Sequence, residues 1–249
     1  MDSLVTGWEA ARAALMDRGL FALAVNGVLA LAASRAGTVR ASGVAAGLLV
    51  GSSIWIAGGW PWFAVLLAFF VLGSLLTKFG YARKAARGLA EEKGGRRGWQ
   101  NAVANGGVGV LVALAWLLTG WEPLRAAFAA SFATALFDTA GSEIGGLYGK
   151  TPISLRSLRP VPPGTEGAVS LEGTLGAVAL ASLVALIAIL VGQTPIIFFV
   201  PVLIGSVVGG LYESLAAGRL PLGHQALNFT NTMVGALMAL GLAFLLGNF

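Results

Sequence analysis

The apolar positions of this chain neither alternate nor recur every three or four residues. They run on in blocks, at 19–34, 41–58, 60–77, 101–119, 124–145, 170–191, 195–213 and 228–247. A block of about 20 apolar residues crosses a bilayer core as a helix, and a helix satisfies its backbone polar groups within one segment. The pattern therefore predicts an all-α, polytopic transmembrane helical bundle of about eight spans, a single integral membrane domain over 1–249. The second and third blocks are separated only by Gly58, Gly59 and the interfacial aromatics of Trp60-Pro61-Trp62, which reads as a tight turn. Residues 1–18 mix Asp2, Glu9, Arg12, Asp17 and Arg18 with Trp8 and Leu15, and predict an N-terminal interfacial helix rather than a cleaved leader. Pro195 opens the seventh block at a position where a missing N–H costs little. Pro201, inside that block, predicts a kink.

Composition sharpens this picture. Hydrophobic residues make up 57% of the chain and charged residues 11%, well below the quarter or so typical of soluble domains. No cysteine is present, which excludes disulfides and thiolate metal sites, and His224 alone cannot build a polyhistidine site. The net charge of +5 is explained by orientation rather than by nucleic-acid binding. With eight spans, 13 of the 16 basic residues fall on one side, leaving Arg12, Arg18 and Arg125 on the other. The positive-inside rule makes the rich side cytoplasmic and places both termini outside.

Small residues recur four apart at Gly43/Gly47/Gly51, Gly141/Gly145/Gly149 and Gly205/Gly209, a spacing suited to close helix packing. The polar residues carry more information. Asp138 and Glu143 lie within the fifth block, where an ionised acid costs roughly 2.5–3.5 kcal/mol on the insertion scale and usually marks a functional site. Asp138 shares a helical face with Ser142, and Thr139 with Glu143. The two acids are about 140° apart on a straight helix. They converge on one ion only if the helix bends near Gly141; otherwise each faces a different neighbour. Asn101/Asn105 and Asn228/Asn231 enter the fourth and eighth blocks, and Glu213 ends the seventh. Either amide pair also suits plain interhelical hydrogen bonding. His224 reads as an ordinary loop residue. No serine sits in a nucleophile-elbow context, so nucleophilic hydrolysis has no support.

An ordered series of motifs resembles one family. Asp138-Thr139 with Ser142-Glu143-Ile144-Gly145, then Pro162-Pro163-Gly164-Thr165-Glu166-Gly167, then Val169-Ser170 with Gly173-Thr174, is similar to the signature of the integral membrane phytyl-phosphate kinases of the vitamin E pathway. Leu76-Thr77-Lys78-Phe79-Gly80 with Lys84, Arg97-Gly98-Trp99-Gln100-Asn101 and Ala104-Asn105-Gly106-Gly107 stand upstream in the family's order. Gly205 to Ser214 and Asn228 to Asn231 resemble its closing elements. More broadly the pattern resembles CTP-dependent dolichol and phytol kinases and phosphatidate cytidylyltransferases. It differs in that Gly164-Thr165-Glu166-Gly167 lacks the lysine of their Lys-Thr-x-Glu-Gly element, and in Glu213 where the kinases would carry Asp.

The resemblance implies a CTP-dependent kinase adding a phosphoryl group to a membrane-bound isoprenoid monophosphate, with Mg²⁺ or another divalent cation. Asp138, Glu143 and Glu213 are then the metal candidates, and Asp138, Glu143 and Lys78 the catalytic ones. Lys84, Asn101, Asn105, Lys150, Arg159, Gly164, Thr165 and Glu166 become nucleotide or phosphate ligands, with Thr139, Ser142, Asn228 and Asn231 as further polar site residues. The implied partners are membrane lipid, prenyl phosphate and nucleotide, with no nucleic acid and a homo-oligomer allowed, and the site faces the cytoplasm. A lipid cytidylyltransferase, a prenyl-alcohol kinase, a transporter of an anionic lipid or metabolite, and a non-catalytic lipid-binding protein are the alternatives. Depth separates transport from lipid chemistry: transport wants Asp138 at the midplane, chemistry wants it near the basic loops.

Overall fold

The computed structural model of the chain describes residues 2–219 and 221–247. The side chains of Asp2, Ser3, Leu4, Val5, Glu92 and Lys93 lie outside what it describes. Eight α-helices follow one another: α1 (Asp2–Arg35), α2 (Ala41–Lys78), α3 (Tyr81–Ala86), α4 (Trp99–Thr119), α5 (Pro123–Tyr148), α6 (Leu171–Leu190), α7 (Phe199–Ala216) and α8 (His224–Leu246). One two-residue strand pair, β1 (Ile153–Ser154) with β2 (Ala168–Val169), pins the loop after α5.

Six of these segments are long and apolar enough to cross a membrane, from α1, α2, α4, α6, α7 and α8. One of the six, α2, is two spans. Gly59 at φ 70° breaks its helical path, a conformation that costs glycine nothing and other residues a good deal. Beyond it the chain doubles back, so that Gly43 near the start of α2 and Gly73 near its end both pack on Arg97. The turn expected at Gly58, Gly59 and Trp60-Pro61-Trp62 is this one. The eighth span is α5, less apolar than the others and enclosed by α2, α4, α6, α7 and α8. From Pro123 to Phe137 almost every residue is buried, with Phe128, Phe132 and Leu136 at the core. A helix walled by protein on all sides can carry polar groups that a lipid-facing helix cannot.

Two expectations are modified. The interfacial segment and the first span are one helix, α1, of 34 residues. No proline interrupts residues 2–35, and Gly19 at the junction is too weak a breaker to separate them. At about 51 Å it exceeds the bilayer core, and its first half lies at one end of the bundle, with Gly7 against Leu118 and Arg18 reaching the Ile56 carbonyl at 3.5 Å. Pro201 does not kink the seventh span. The irregular piece lies before it, as a 3₁₀ turn at Ile196–Phe198 that leaves Pro201 in the first turn of α7, where no intrahelical N–H is required.

The glycine faces mostly do what close packing asks. A Cβ on Gly205 would lie 2.5 Å from the Gly235 carbonyl oxygen, and one on Gly209 2.6 Å from that of Asn231, so α7 and α8 touch backbone to backbone.

Candidate active site at one end of the bundle

The end of the bundle that carries the α2–α4 and α5–α6 loops encloses a polar cavity of about 160 Å³. Its walls come from α2 (Thr77), the loop before α4 (Leu89, Glu91, Gly95, Arg97), α4 (Asn101, Asn105), α5 (Asp138, Thr139, Ser142, Glu143) and α8 (His224, Asn228). Asp138 stands about 15 Å from the α5 terminus at Tyr148 and about 22 Å from the one at Pro123; it is the loop residues Leu89, Glu91, Gly95 and Arg97 in the wall that put the cavity at the basic-loop end.

Arg97 is held by its backbone. Its N–H donates to Thr38 O and its carbonyl accepts from Arg40 N, both at 2.9 Å, tying the α1–α2 loop to the start of α4. The guanidinium rests over the Phe69 ring at 5.3 Å. It occupies the space left by Gly73, where a Cβ would come within 2.7 Å of it. Among the described residues it makes no side-chain hydrogen bond or ion pair. Burial works to lower its pKa, while the carboxylates of Glu91 and Glu143 support its charge; an arginine stays protonated through such shifts.

The two acids of α5 face different neighbours, as a straight helix requires. Glu143 is buried and paired with Lys84, whose side chain is 1% exposed. Lys84 also donates to Leu76 O (3.2 Å) and Thr77 O (2.9 Å). An ammonium has three donors, so none is left for a phosphate, and the phosphate role expected of Lys84 gives way to a structural one. Asp138 turns instead toward α7, where its carboxyl group lies within hydrogen-bonding reach of Glu213, with His224 nearby. Among the described residues neither Asp138 nor Glu213 forms a salt bridge.

The amides complete the wall. Asn105 Nδ2 donates to Asn101 O at 3.1 Å. Asn228 is 5% exposed and its Oδ1 has no partner, an expensive arrangement unless a ligand or water meets it. Asn231 lies one turn deeper, outside the cavity lining, with both polar atoms unpaired. Thr139 and Ser142 reach the cavity, but their hydroxyls bond carbonyls of their own helix.

A second, apolar groove of about 510 Å³ runs between α1, the two halves of α2 and α4. Arg97 and Asn101 line both spaces, and Lys78 stands at the groove's same end with Nζ 2.6 Å from Ala36 O.

The chain matches the model for integral membrane protein DUF92 over residues 24–220. It is 38% identical over 207 residues to an uncharacterized membrane protein of Synechocystis sp., covering 78% of each chain. It belongs to the DUF92 family of integral membrane proteins. The Arabidopsis thaliana chloroplastic protein VTE6 is 35% identical over 215 residues, 81% of this chain and 64% of that one. The Arabidopsis thaliana protein PGR is 31% identical over 189 residues, 70% of this chain and 65% of that one. No solved structure matches. The motif series read from the sequence thus falls within this family, and the chain is an integral, multi-pass membrane protein.

Of the residues singled out in the sequence, the cavity gathers Asp138, Thr139, Ser142, Glu143, Asn101, Asn105 and Asn228, with Glu213 beside Asp138. Lys78 belongs to the groove instead. Lys150, Arg159, Gly164, Thr165 and Glu166 do not reach the cavity wall; they lie on the exposed loop outside it. The reason is local. Thr165 turns back on Pro162 O at 2.8 Å, and Arg156 fastens the loop to the Leu215 and Ala217 carbonyls at the end of α7. Gly164 packs on Leu89, so the loop forms an outer layer behind a wall residue. Arg97, Glu91 and His224 line the cavity but were not singled out as candidates in the sequence. Arg97 had a signal, its place in the Arg97-Gly98-Trp99-Gln100-Asn101 element.

The donor set can be weighed against a divalent cation. Among the described residues no three His, Asp or Glu side chains gather as a metal cage. Two carboxylates side by side, Asp138 and Glu213, are what Mg²⁺ takes from protein when substrate phosphates and water supply the rest.

Proposed function

We propose that this chain transfers a phosphoryl group from CTP to a membrane-bound prenyl monophosphate, giving the diphosphate. The observation that carries the reading is a junction: an unpaired guanidinium, Arg97, lines both a polar cavity and an apolar groove. A prenyl monophosphate is one molecule with needs of both kinds. Its chain suits the groove and its head suits Lys78 and Arg97, opposite in charge. Membership beside VTE6 and the resemblance to phytyl-phosphate kinases support the same choice.

In the reaction an oxygen of the acceptor phosphate forms a bond to the γ-phosphorus of the donor. The bond from that phosphorus to the β–γ bridging oxygen breaks, and CDP leaves with the electron pair. A dianionic acceptor has no proton to lose, so the residues' work is positioning and neutralisation of charge. Arg97 orients the acceptor at the junction, Asn101, Asn105 and Asn228 orient the nucleotide, and Asp138 with Glu213 would hold the divalent ion. When bound, that ion supplies charge neutralisation on the donor phosphates. Glu143 and Lys84 keep the wall in place. The loop residues Leu89, Glu91 and Gly95 in the cavity wall favour this chemistry over transport through the midplane.

Lys/Arg placement supports a site on the cytoplasmic side. A cysteine at Gly94 should resist impermeant reagents applied outside intact cells; labelling there would reverse the orientation. The activity is tested with purified protein, CTP or ATP labelled at the α- or γ-phosphate, and phytyl, geranylgeranyl and farnesyl alcohols and monophosphates. γ-Label should enter the lipid from monophosphates. Transfer of α-label would make the chain a cytidylyltransferase, transfer to alcohols a prenyl-alcohol kinase, and no transfer by folded protein would sink the reading.

A further inference from the structure

Gly43, Gly47 and Gly51 in the first half of α2 share a face but not a task. A Cβ on Gly43 would lie 2.4 Å from the Arg97 carbonyl oxygen, and one on Gly51 2.0 Å from Asn26 Oδ1. These two allow helices to touch. Gly47, between them, has nothing within 4 Å of where its Cβ would stand, and it lines the apolar groove. Its missing side chain leaves open space rather than contact.

The groove has two unlike ends. One is the cationic mouth at Lys78 and Arg97. At the other stand Asn26 of α1, Val50 of the first half of α2 and Phe63 of the second, with Asn26 and Phe63 both against Gly51. Phe63 is 3% exposed and stands against Trp55 with ring centroids 4.9 Å apart; Trp55 in turn meets Phe21 at 5.4 Å and Trp60 at 6.0 Å. This aromatic stack lies behind the floor. Asn26 is buried beside it with Nδ2 bonded to Ala22 O at 2.9 Å, a polar group that an apolar chain end gains nothing by meeting. Along α2, Phe63 and Lys78 are about 22 Å apart at 1.5 Å per residue.

We infer that this groove selects its prenyl substrate by length, with Phe63 as the floor that the far end of the chain meets and Gly47 as the open position that lets the chain pass. The inference rests on the proposed function for the identity of the occupant. With the phosphate fixed at the mouth, a longer chain collides with a packed ring, and a shorter one leaves apolar wall uncovered. Gly47→Leu places a side chain in the passage without displacing backbone, and so favours shorter chains. Phe63→Ala lowers the floor and favours longer ones. Because Phe63→Ala removes a buried ring, Phe63→Leu is made beside it.

The experiment measures, on purified full-length protein, kcat/KM for farnesyl, geranylgeranyl and geranylfarnesyl monophosphates, together with equilibrium binding of the same three compounds without nucleotide. Gly47→Leu should move the farnesyl-to-geranylgeranyl ratio toward farnesyl by at least about tenfold. The Phe63 variants should move the geranylgeranyl-to-geranylfarnesyl ratio the other way. If the wild type turns over but both ratios stay within about twofold of it in folded variants, the length selection is wrong and the proposed function stands. If no compound is phosphorylated but the binding ratios shift as described, the groove selects anionic lipids by length and the kinase reading falls. If binding shows no length dependence in any variant, the inference is overturned.

Discussion

Two arginines at opposite ends of the bundle are treated in opposite ways. Arg125, in the first turn of α5, is engaged at every nitrogen: Nε and Nη2 donate to Gln193 O and Gly192 O, each at 2.6 Å, and Nη1 pairs with Glu122 at 3.1 Å. Gln193 Nε2 returns a bond to Arg125 O at 3.2 Å. Arg97, at the other end, has its backbone fixed and its guanidinium unspent. The carboxylates repeat the contrast within the site end itself, since Glu143 is neutralised by Lys84 while Asp138 faces a second acid. A charge that the protein satisfies fully is part of the architecture. A charge whose position is fixed and whose partner is missing is waiting for a ligand.

The contrast can be broken by mutation, most severely at the buried pair. Lys84→Met leaves Glu143 buried and alone, and should cost about 3–5 kcal/mol of stability. Adding Glu143→Leu should recover most of it. A detergent melting curve for the single variant that overlays the wild type would show that the pair is not structural. Asp138→Asn should do the reverse. The protein should melt as before, and turnover should fall by at least about two orders of magnitude, the equivalent of roughly 2.7 kcal/mol, with a changed Mg²⁺ response. Near-normal turnover in that variant removes Asp138 from the site.

The arginines give the next test. Arg125→Ala should lose about 1.5–3 kcal/mol for each charged hydrogen bond not replaced by water, with turnover per folded molecule nearly unchanged. Arg97→Gln should leave melting unchanged and raise the KM for the lipid acceptor about tenfold. Equal effects of the two on melting would erase the distinction drawn between them. The smallest effect is expected at Asn105→Ala, about a fivefold loss in turnover from one hydrogen bond of about 1 kcal/mol. Unchanged activity there would make Asn105 a packing residue.

Much of this arrangement was legible before the structure. The spans follow from unbroken apolar blocks, and Gly58-Gly59 with Trp60-Pro61-Trp62 marked the hairpin within α2, because only a turn tolerates that sequence between two spans. Asp138, Asn101, Asn105 and Asn228 stood out because polar groups in spans are costly. The rest depends on contacts that no local pattern encodes. Lys84 and Glu143 are 59 residues apart, and nothing in the basic loop shows which lysine turns inward. His224 looked like a loop residue because the start of α8 has no side-chain cap to announce it. The glycine- and proline-rich stretch around Gly164, Thr165 and Glu166 has the composition of a phosphate loop, but its turn closes on itself, outside the cavity.

The position of α1 has a consequence for how such a protein meets its substrate. This helix packs chiefly on α2 and α4 and leaves Leu20, Leu23, Val28 and Leu31 on its outer face. It walls one side of the apolar groove, so the groove borders the bilayer rather than water. A lipid acceptor arriving this way diffuses in two dimensions and never crosses an aqueous phase. The concentration that governs saturation is then the mole fraction of acceptor among the surrounding lipids. Adding inert lipid or detergent at constant total acceptor should slow the reaction as a competitive inhibitor would, although nothing competes for the groove.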